Sequence, residues 1–207
     1  ADICMIGRAN LSEPEFCNKA QAGHEEDIRP CIGCLRCLNG IMFGKRVACT
    51  VNPSLEPENE DTITPAKETK NVLVIGGGPA GMEAAYVAAK RGHHVVLADR
   101  QDSLGGTVRI AAVPIAKQDL TQLIKYQAHK LEQAGVKVLL NTEVTLETIQ
   151  KDYPDYEVIL CAGATPVVPQ FMTQFKDWMT ADDVLYGRKF PGRKIVVIGG
   201  GSVGCET

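Results

Sequence analysis

No apolar run in this sequence approaches the ~20 residues that a helix needs to cross a bilayer. The N-terminal stretch also lacks the basic-then-apolar pattern of a secretory signal, so the expected setting is cytoplasmic, with no membrane partner. Charge of one sign is missing too, since 22 Lys and Arg face 25 Asp and Glu for a formal net charge of -3. Nucleic acid or an anionic surface would be met by a basic patch, and the one dense cluster, Arg188, Lys189, Arg193 and Lys194, falls in a loop. Neither is expected as a partner. An initial Met is absent, and the chain stops at Thr207, shortly after a glycine-rich turn that should open a helix. The expectation is a piece of a longer protein, to which the functional reading applies.

What is present is that of a globular chain, 44% hydrophobic and 23% charged, with material for one or two cores. Its most informative feature is an internal repeat. "VLVIGGGPAGME" at 72–83 returns as "IVVIGGGSVGCE" at 195–206, an offset of 123 residues. Each copy joins a β-branched run to three glycines, two variable residues, a fourth glycine and a helical pattern. Between the copies the pattern predicts a helix from Pro79 to Arg91 stopped by Gly92, a strand His94 to Ala98, and a loop bearing Gly105 and Gly106. A second helix follows from about Gln118 to Ala134 with Gly135 as its stop, then a strand Val136 to Leu140, a short helix Leu146 to Lys151, and a strand Glu157 to Cys161. Strands alternating with helices give an α/β fold, a Rossmann-like parallel sheet covered on both faces. Upstream, "VNPSLEPENEDTITPAKETKN" reads as a linker.

In Gly76-x-Gly78-x-x-Gly81 the first glycine permits the strand-to-helix turn and the second lets a pyrophosphate approach the backbone. The third lets helix and strand pack closely. The helix N-terminus, from Pro79 and Ala80, offers free N-H groups and a positive dipole end to phosphate. Asp99, eighteen residues after Gly81, closes the next strand, where a carboxylate can accept from an adenosine ribose. The bland alternative is a glycine turn needed only for packing. The strand before, the small-residue helix after and the acid in place favour a dinucleotide site. Gly199-x-Gly201-x-x-Gly204 repeats the arrangement.

Cys31, Cys34, Cys37 and Cys49 stand in the spacing C-x2-C-x2-C-x11-C. Three thiols two residues apart can turn inward from one loop relieved by Gly33, and the fourth returns beyond a hairpin-like stretch containing Gly40 and Gly44. Such a cage suits a tetrahedral zinc or an iron-sulfur cluster, and spacing alone leaves both open, with the compact three-thiol turn leaning to iron. Disulfides are the poorer reading, because the other cysteines stand singly at Cys4, Cys17, Cys161 and Cys205. Cys161 and Cys205 fall in core patterns and are expected to be buried. Tyr126 and His129, three apart on a helix without a motif, are assigned to packing and surface.

The first glycine loop, the doublet Gly105-Gly106, "NTEVT" at 141–145 with Val144, and "CAGATP" at 161–166 together resemble a flavoprotein with two dinucleotide-binding domains. That resemblance implies FAD at the first loop, with Val144, Ala162 and Gly163 near it, and NAD(P)H at Gly199, Gly201 and Gly204. Cys161-Ala162-Gly163 departs from the usual Ala-Thr-Gly and loses a hydroxyl. "ADICMIGRANLSEPEF" followed by "DIRPCIGCLRC" is similar to the junction in iron-sulfur flavoenzymes related to 2,4-dienoyl-CoA reductase, 2-enoate reductase, bile-acid enoyl oxidoreductases and trimethylamine dehydrogenase. In those enzymes an old-yellow-enzyme-like barrel binding FMN precedes the cysteines and the FAD and NAD(P)H domains.

The resemblance then implies a [4Fe-4S] cluster on the four cysteines, although many relatives have three residues rather than two between the second and third. It also implies that residues 1 to about 16 are the last strand of a (β/α)8 barrel and its turn, with Gly7 and Arg8 at the FMN phosphate. The implied division is a barrel end over 1–20, a cluster segment over 21–56, a linker over 57–70, the first part of an FAD domain over 71–168, and a connection into an NAD(P)-binding domain over 169–207. Electrons would run from NAD(P)H through FAD and the cluster to FMN, for reduction of an activated C=C bond in an enoate or enoyl-CoA. An oligomer is compatible with this, and no residue of the chain is named as a catalytic acid or base. The alternatives are an amine dehydrogenase of the trimethylamine dehydrogenase type and a non-catalytic electron-transfer subunit resembling the small subunit of glutamate synthase.

Overall fold

A computed structural model describes residues 2–55 and 63–207. The first part carries three short helices, α1 (Arg8–Ser12), α2 (Phe16–Gln21) and α3 (Arg36–Met42). The second alternates: β1 (Asn71–Ile75), α4 (Pro79–Lys90), β2 (His94–Ala98), α5 (Val108–Ala111), α6 (Leu120–Gln133), β3 (Lys137–Leu139), α7 (Leu146–Asp152) and β4 (Tyr156–Leu160). Two more short helices follow, α8 (Ala181–Leu185) and α9 (Ser202–Glu206). Among the described residues no helix is long and apolar enough to cross a membrane.

The four strands form one parallel sheet in the order β3-β2-β1-β4, with Leu73 paired to Val96 on one side and Val158 on the other. Alternation along each strand sends side chains to both faces. On one face Val72, Val74, Val95 and Leu97 meet Met82, Ala85 and Ala88 of α4 and Leu131 of α6. On the other, Leu73, Val96 and Ala98 meet Val144, Ile149 and Tyr153. Leu73 and Leu97 are fully buried, each burial contributing roughly 1.5–3 kcal/mol. A double-sided core of this kind explains why the strands are continuous runs of Val, Leu and Ile.

Local signals set the helix ends. Pro79 occupies the first turn of α4, where its missing N-H costs nothing. Both long helices end in Schellman turns: His93 N donates to Ala88 O at 3.2 Å after α4, and Val136 N to Leu131 O at 3.0 Å after α6. α7 is capped by Thr145, whose hydroxyl accepts from Thr148 N at 3.2 Å.

Four expectations need correction. Residues 2–7 and 195–198 form no strand, because no other strand lies beside them to complete their hydrogen bonds. Ile195 to Ile198 stand 59% or more exposed, and Cys205, expected in a core, is exposed with them. The hairpin-like stretch between Cys37 and Cys49 is instead the helix α3. Gly40 permits it: a Cβ there would meet Arg46 O at 2.6 Å, so the chain doubles back directly on the helix. Of the proposed linker, residues 57–62 lie outside the described residues, and 63–70 carry no helix or strand.

Candidate functional site

The first glycine loop joins β1 to α4 under close constraint. Gly76 has φ +112°, and a Cβ on it would strike Cys161 O at the end of β4. A Cβ on Gly81 would strike Gly76 O, with Cys161 Cβ 3.3 Å away. Strand, loop and helix therefore touch backbone to backbone. Gly78 differs, since the nearest heavy atom to its virtual Cβ is Gly106 Cα at 4.0 Å. It leaves the open side on which a phosphate could lie. Met82 N donates to Gly78 O at 2.9 Å, so the Ala80 and Gly81 N-H groups precede the first helical bond and point out of the turn.

The doublet closes over the same loop. Gly105 N donates to Gly77 O at 2.8 Å, and a Cβ on Gly106 would lie 3.0 Å from Gly78 Cα. Asp99 is buried at the end of β2. Its Oδ2 accepts from Gly77 N at 2.5 Å and its Oδ1 from Gln101 N at 2.7 Å. A carboxylate has about four acceptor sites, so two remain for a ligand hydroxyl. Val144 packs into the core on the far face of the sheet, while Ala162 and Gly163 follow β4 and are exposed.

The second loop has the same geometry. Gly199 has φ +109° against +112° for Gly76, and a Cβ on Gly204 would strike Gly199 O as one on Gly81 would strike Gly76 O. Gly201 caps α9 at φ -79°, ψ -179°, where Gly78 caps α4 at φ -73°, ψ 176°. Its surroundings differ, since a Cβ on Gly199 would meet nothing within 4 Å.

Cys31, Cys34, Cys37 and Cys49 all line one recess, whose empty volume including its open mouth is about 310 Å³. Leu11, Ile32 and Val51 form apolar wall, and the side chains of Arg8 and Arg36 also border it. Arg8, read from sequence as a phosphate contact, is thus brought to the cysteines. Cys34 Sγ lies 3.2 Å from Thr50 Oγ1. Burial would raise this thiol's pKa, but that hydroxyl and backbone N-H groups hold it below its ordinary value. Among the described residues no three His, Cys, Asp or Glu side chains converge closely enough to hold a metal ion as they stand. The donor chemistry fits a thiolate-bound zinc or iron-sulfur cluster: four thiols in one recess and no carboxylate or imidazole in its lining.

The segment leading to Cys31 is fastened to α6, and sequence reasoning missed it. Asp27 Oδ1 accepts from Gln133 Nε2 at 2.8 Å and lies 3.3 Å from His129 Nε2 and 3.7 Å from Lys130 Nζ. Arg29 lies over Tyr126, its guanidinium carbon 5.8 Å from the ring centroid. Tyr126 and His129, set aside as packing and surface, are thus the anchor points. Burial pushes the Tyr126 phenol above its ordinary pKa, against the pull of Arg29.

A family model described as pyridine nucleotide-disulphide oxidoreductase matches residues 70–207. The chain belongs to that family. Among curated relatives it is 40% identical over 215 residues to an NADH oxidase of Thermoanaerobacter brockii, covering 100% of this chain and 33% of that protein. To a cinnamate reductase of Clostridium sporogenes it is 39% identical over 207 residues, covering 100% and 31%. A solved structure of a 2-naphthoyl-CoA reductase superposes with a TM-score of 0.93 at 32% identity, over 99% of this chain and 32% of that one. Amine dehydrogenases also match, at lower similarity. The chain spans about a third of the length of the curated relatives it matches. The resemblance to enoate and enoyl-CoA reductases is met by these names, and the Rossmann-like sheet by the matched fold.

Proposed function

We propose that the chain is the electron-relay portion of an NAD(P)H-dependent iron-sulfur flavoprotein that reduces an activated C=C bond in a small enoate or enoyl-CoA. The observation that carries this reading is the fastening of a four-thiol recess to α6, the helix that packs on α4 and its phosphate-facing N-terminus. The first glycine loop, Gly76 to Gly81, with Asp99, Gly105 and Gly106, would hold FAD, and the second, Gly199 to Gly204, NAD(P)H. Cys31, Cys34, Cys37 and Cys49 would hold a [4Fe-4S] cluster. When bound, FAD would accept one hydride, an electron pair, from the nicotinamide, and the cluster would relay those two electrons singly to an FMN beyond the recess for addition of one hydride and one proton across the C=C bond.

The chain's own residues bind and orient. Gly78 leaves room for a pyrophosphate, the Ala80 and Gly81 N-H groups face its charge, and Asp99 has acceptor capacity for a ribose. Arg8 and Arg36, whose side chains border the recess, would lie beside the thiolates. The domain division given above is retained within this proposal.

The test uses full-length protein purified anaerobically. It should contain iron and sulfide near four each per chain, one FAD and one FMN, and should reduce an enoate or enoyl thioester with NADH or NADPH. Absence of FMN would remove the barrel from the proposal, and zinc in place of iron would remove the relay. An amine dehydrogenase is the second reading, favoured by the amine dehydrogenases among the matching proteins. Rapid bleaching of the flavin by NADH or NADPH decides against it, and the intact turn at Gly199 to Gly204 leads us to expect that bleaching.

A further inference from the structure

We propose that Arg29 is a positioning residue that fixes the cysteine recess relative to the first glycine loop. The proposal rests on the relay reading above. Arg29 stands two residues before Cys31, and its Nη1 donates to Asn52 Oδ1 at 2.7 Å, three residues beyond Cys49. One guanidinium therefore joins the two arms of chain that enter and leave the recess. Asn52 is 1% exposed, and its Nδ2 donates to Leu11 O at 2.9 Å. Buried Ser12 places its Oγ 2.9 Å from Ala9 O and 3.3 Å from Arg29 O, and its own carbonyl accepts from Arg29 Nη1 at 3.5 Å, which draws α1 into the same knot.

On its other side the guanidinium lies over the Tyr126 ring and acts electrostatically on the Tyr126 hydroxyl. Tyr126 sits one position before Gln127, whose Nε2 donates to Pro79 O at 3.2 Å. Pro79 opens α4 beside Gly78. The path from thiol recess to phosphate cradle thus runs through one guanidinium, one helix face and one side-chain amide, every link buried or partly buried. The carboxylates of Glu13 and Glu83 face Arg29 as well, so its charge is held from the recess side and from α4.

A plain packing anchor would not need this chemistry, because an apolar side chain could cover Tyr126. A planar donor fork fixes direction as well as contact, and the net charge around a cluster is one of the quantities that set its potential. A recess fixed in place also fixes the distance over which an electron must pass, and transfer slows as that distance grows.

The experiment uses the full-length, iron-replete protein with Arg29→Ala, Arg29→Lys and Tyr126→Phe. NAD(P)H is mixed in stopped flow, flavin and cluster reduction are followed at separate wavelengths, and the cluster midpoint potential is titrated. Reduction of FAD should keep its wild-type rate in all three variants. Transfer from FAD to the cluster should slow severalfold in Arg29→Ala, less in Tyr126→Phe, and be partly restored in Arg29→Lys. The potential should fall in Arg29→Ala, since a lost positive charge disfavours the reduced cluster, and return in Arg29→Lys. Wild-type transfer rate and potential in iron-replete Arg29→Ala overturn the proposal. If that variant loses its iron, Tyr126→Phe decides: unaltered transfer there overturns it equally. Wild-type protein without iron would instead refute the relay reading itself.

Discussion

Substituting Gly81 separates packing from binding at the glycine loop. A Cβ at this position would press on Gly76 O, with Cys161 Cβ 3.3 Å away on the other side. One neighbour is backbone and the other is short and tethered to the end of β4, so neither can swing aside. α4 must then lift from β1, at a cost of about 1–3 kcal/mol. Alanine's better helix propensity recovers up to about 1 kcal/mol, which leaves a net loss of about 2 kcal/mol when the overlap is backbone on backbone. At roughly 2–4 °C per kcal/mol for a chain of this size, Gly81→Ala should lower Tm by about 4–8 °C. Gly78→Ala gives the opposite pattern. Its φ of -73° suits any residue and its Cβ meets nothing nearer than 4.0 Å, so stability should move by no more than about 0.5 kcal/mol. Its methyl instead occupies the phosphate approach, and FAD affinity should fall about tenfold or more, equivalent to about 1.4 kcal/mol. Thermal melts of the apoprotein by circular dichroism and FAD titration by fluorescence quenching measure both. An unaltered Tm for Gly81→Ala, or wild-type FAD binding by Gly78→Ala, would refute the reasoning.

Asp99→Asn replaces an acceptor of two backbone N-H groups by a group that turns a donor toward one of them, and should cost about 1–3 kcal/mol in urea unfolding together with dinucleotide affinity. Cys31→Ser, Cys34→Ser, Cys37→Ser and Cys49→Ser should each lower iron per chain, whereas Cys17→Ser and Cys205→Ser, both at exposed cysteines, should leave it at the wild-type value by colorimetric assay. For Asp27, burial would raise the carboxyl pKa, but hydrogen bonding from Gln133 with Lys130 and His129 alongside holds it below its ordinary value. Its contribution to stability is therefore present above the unfolded-state pKa of about 3.9 and is lost as pH falls through the lower folded one. Between about pH 5 and pH 2, Tm should fall less steeply in Asp27→Asn than in wild type; equal slopes would show that the tie contributes nothing.

The elements that sequence reading placed within a residue or two are those whose signals are local. α4 and α6 are bounded by Pro79, Gly92 and Gly135, and β2 and β4 by runs of β-branched residues, so the alternating fold follows from short-range chemistry. α3 was hidden because Gly40 reads as a turn residue, and only the return of the chain at Arg46 shows why a glycine sits inside a helix. The four cysteines were legible as a set because their spacing is itself the signal. Arg29 and Asn52 were not, since the contact joins positions 23 residues apart and the next, from Asn52 to Leu11, joins positions 41 apart. No periodicity encodes such pairs. Tyr126 and His129 carried a hint in their three-residue spacing on α6, but their partners, Arg29 and Asp27, lie about a hundred residues earlier, in and just after a single 3-10 turn at Glu25–Asp27.

The repeat divides what a motif encodes from what its surroundings add. Gly76 and Gly199 adopt nearly the same φ, and Gly78 and Gly201 cap their helices in nearly the same conformation. Yet β1 is paired on both sides while residues 195–198 lie open. The turn is therefore fixed by the glycine pattern and its immediate helix, without help from a sheet. A phosphate cradle needs more than the turn: at the first copy the Gly105-Gly106 loop covers Gly77 and Gly78, and a buried Asp99 holds Gly77 N at 2.5 Å. At the second copy Glu206, the counterpart of Glu83, makes an exposed ion pair with Lys117, Nζ to Oε1 at 2.6 Å, of a kind that contributes at most about 1 kcal/mol. The same glycine pattern thus gives one loop held between a strand end, a buried carboxylate and a second glycine loop, and one with the same turn but open surroundings.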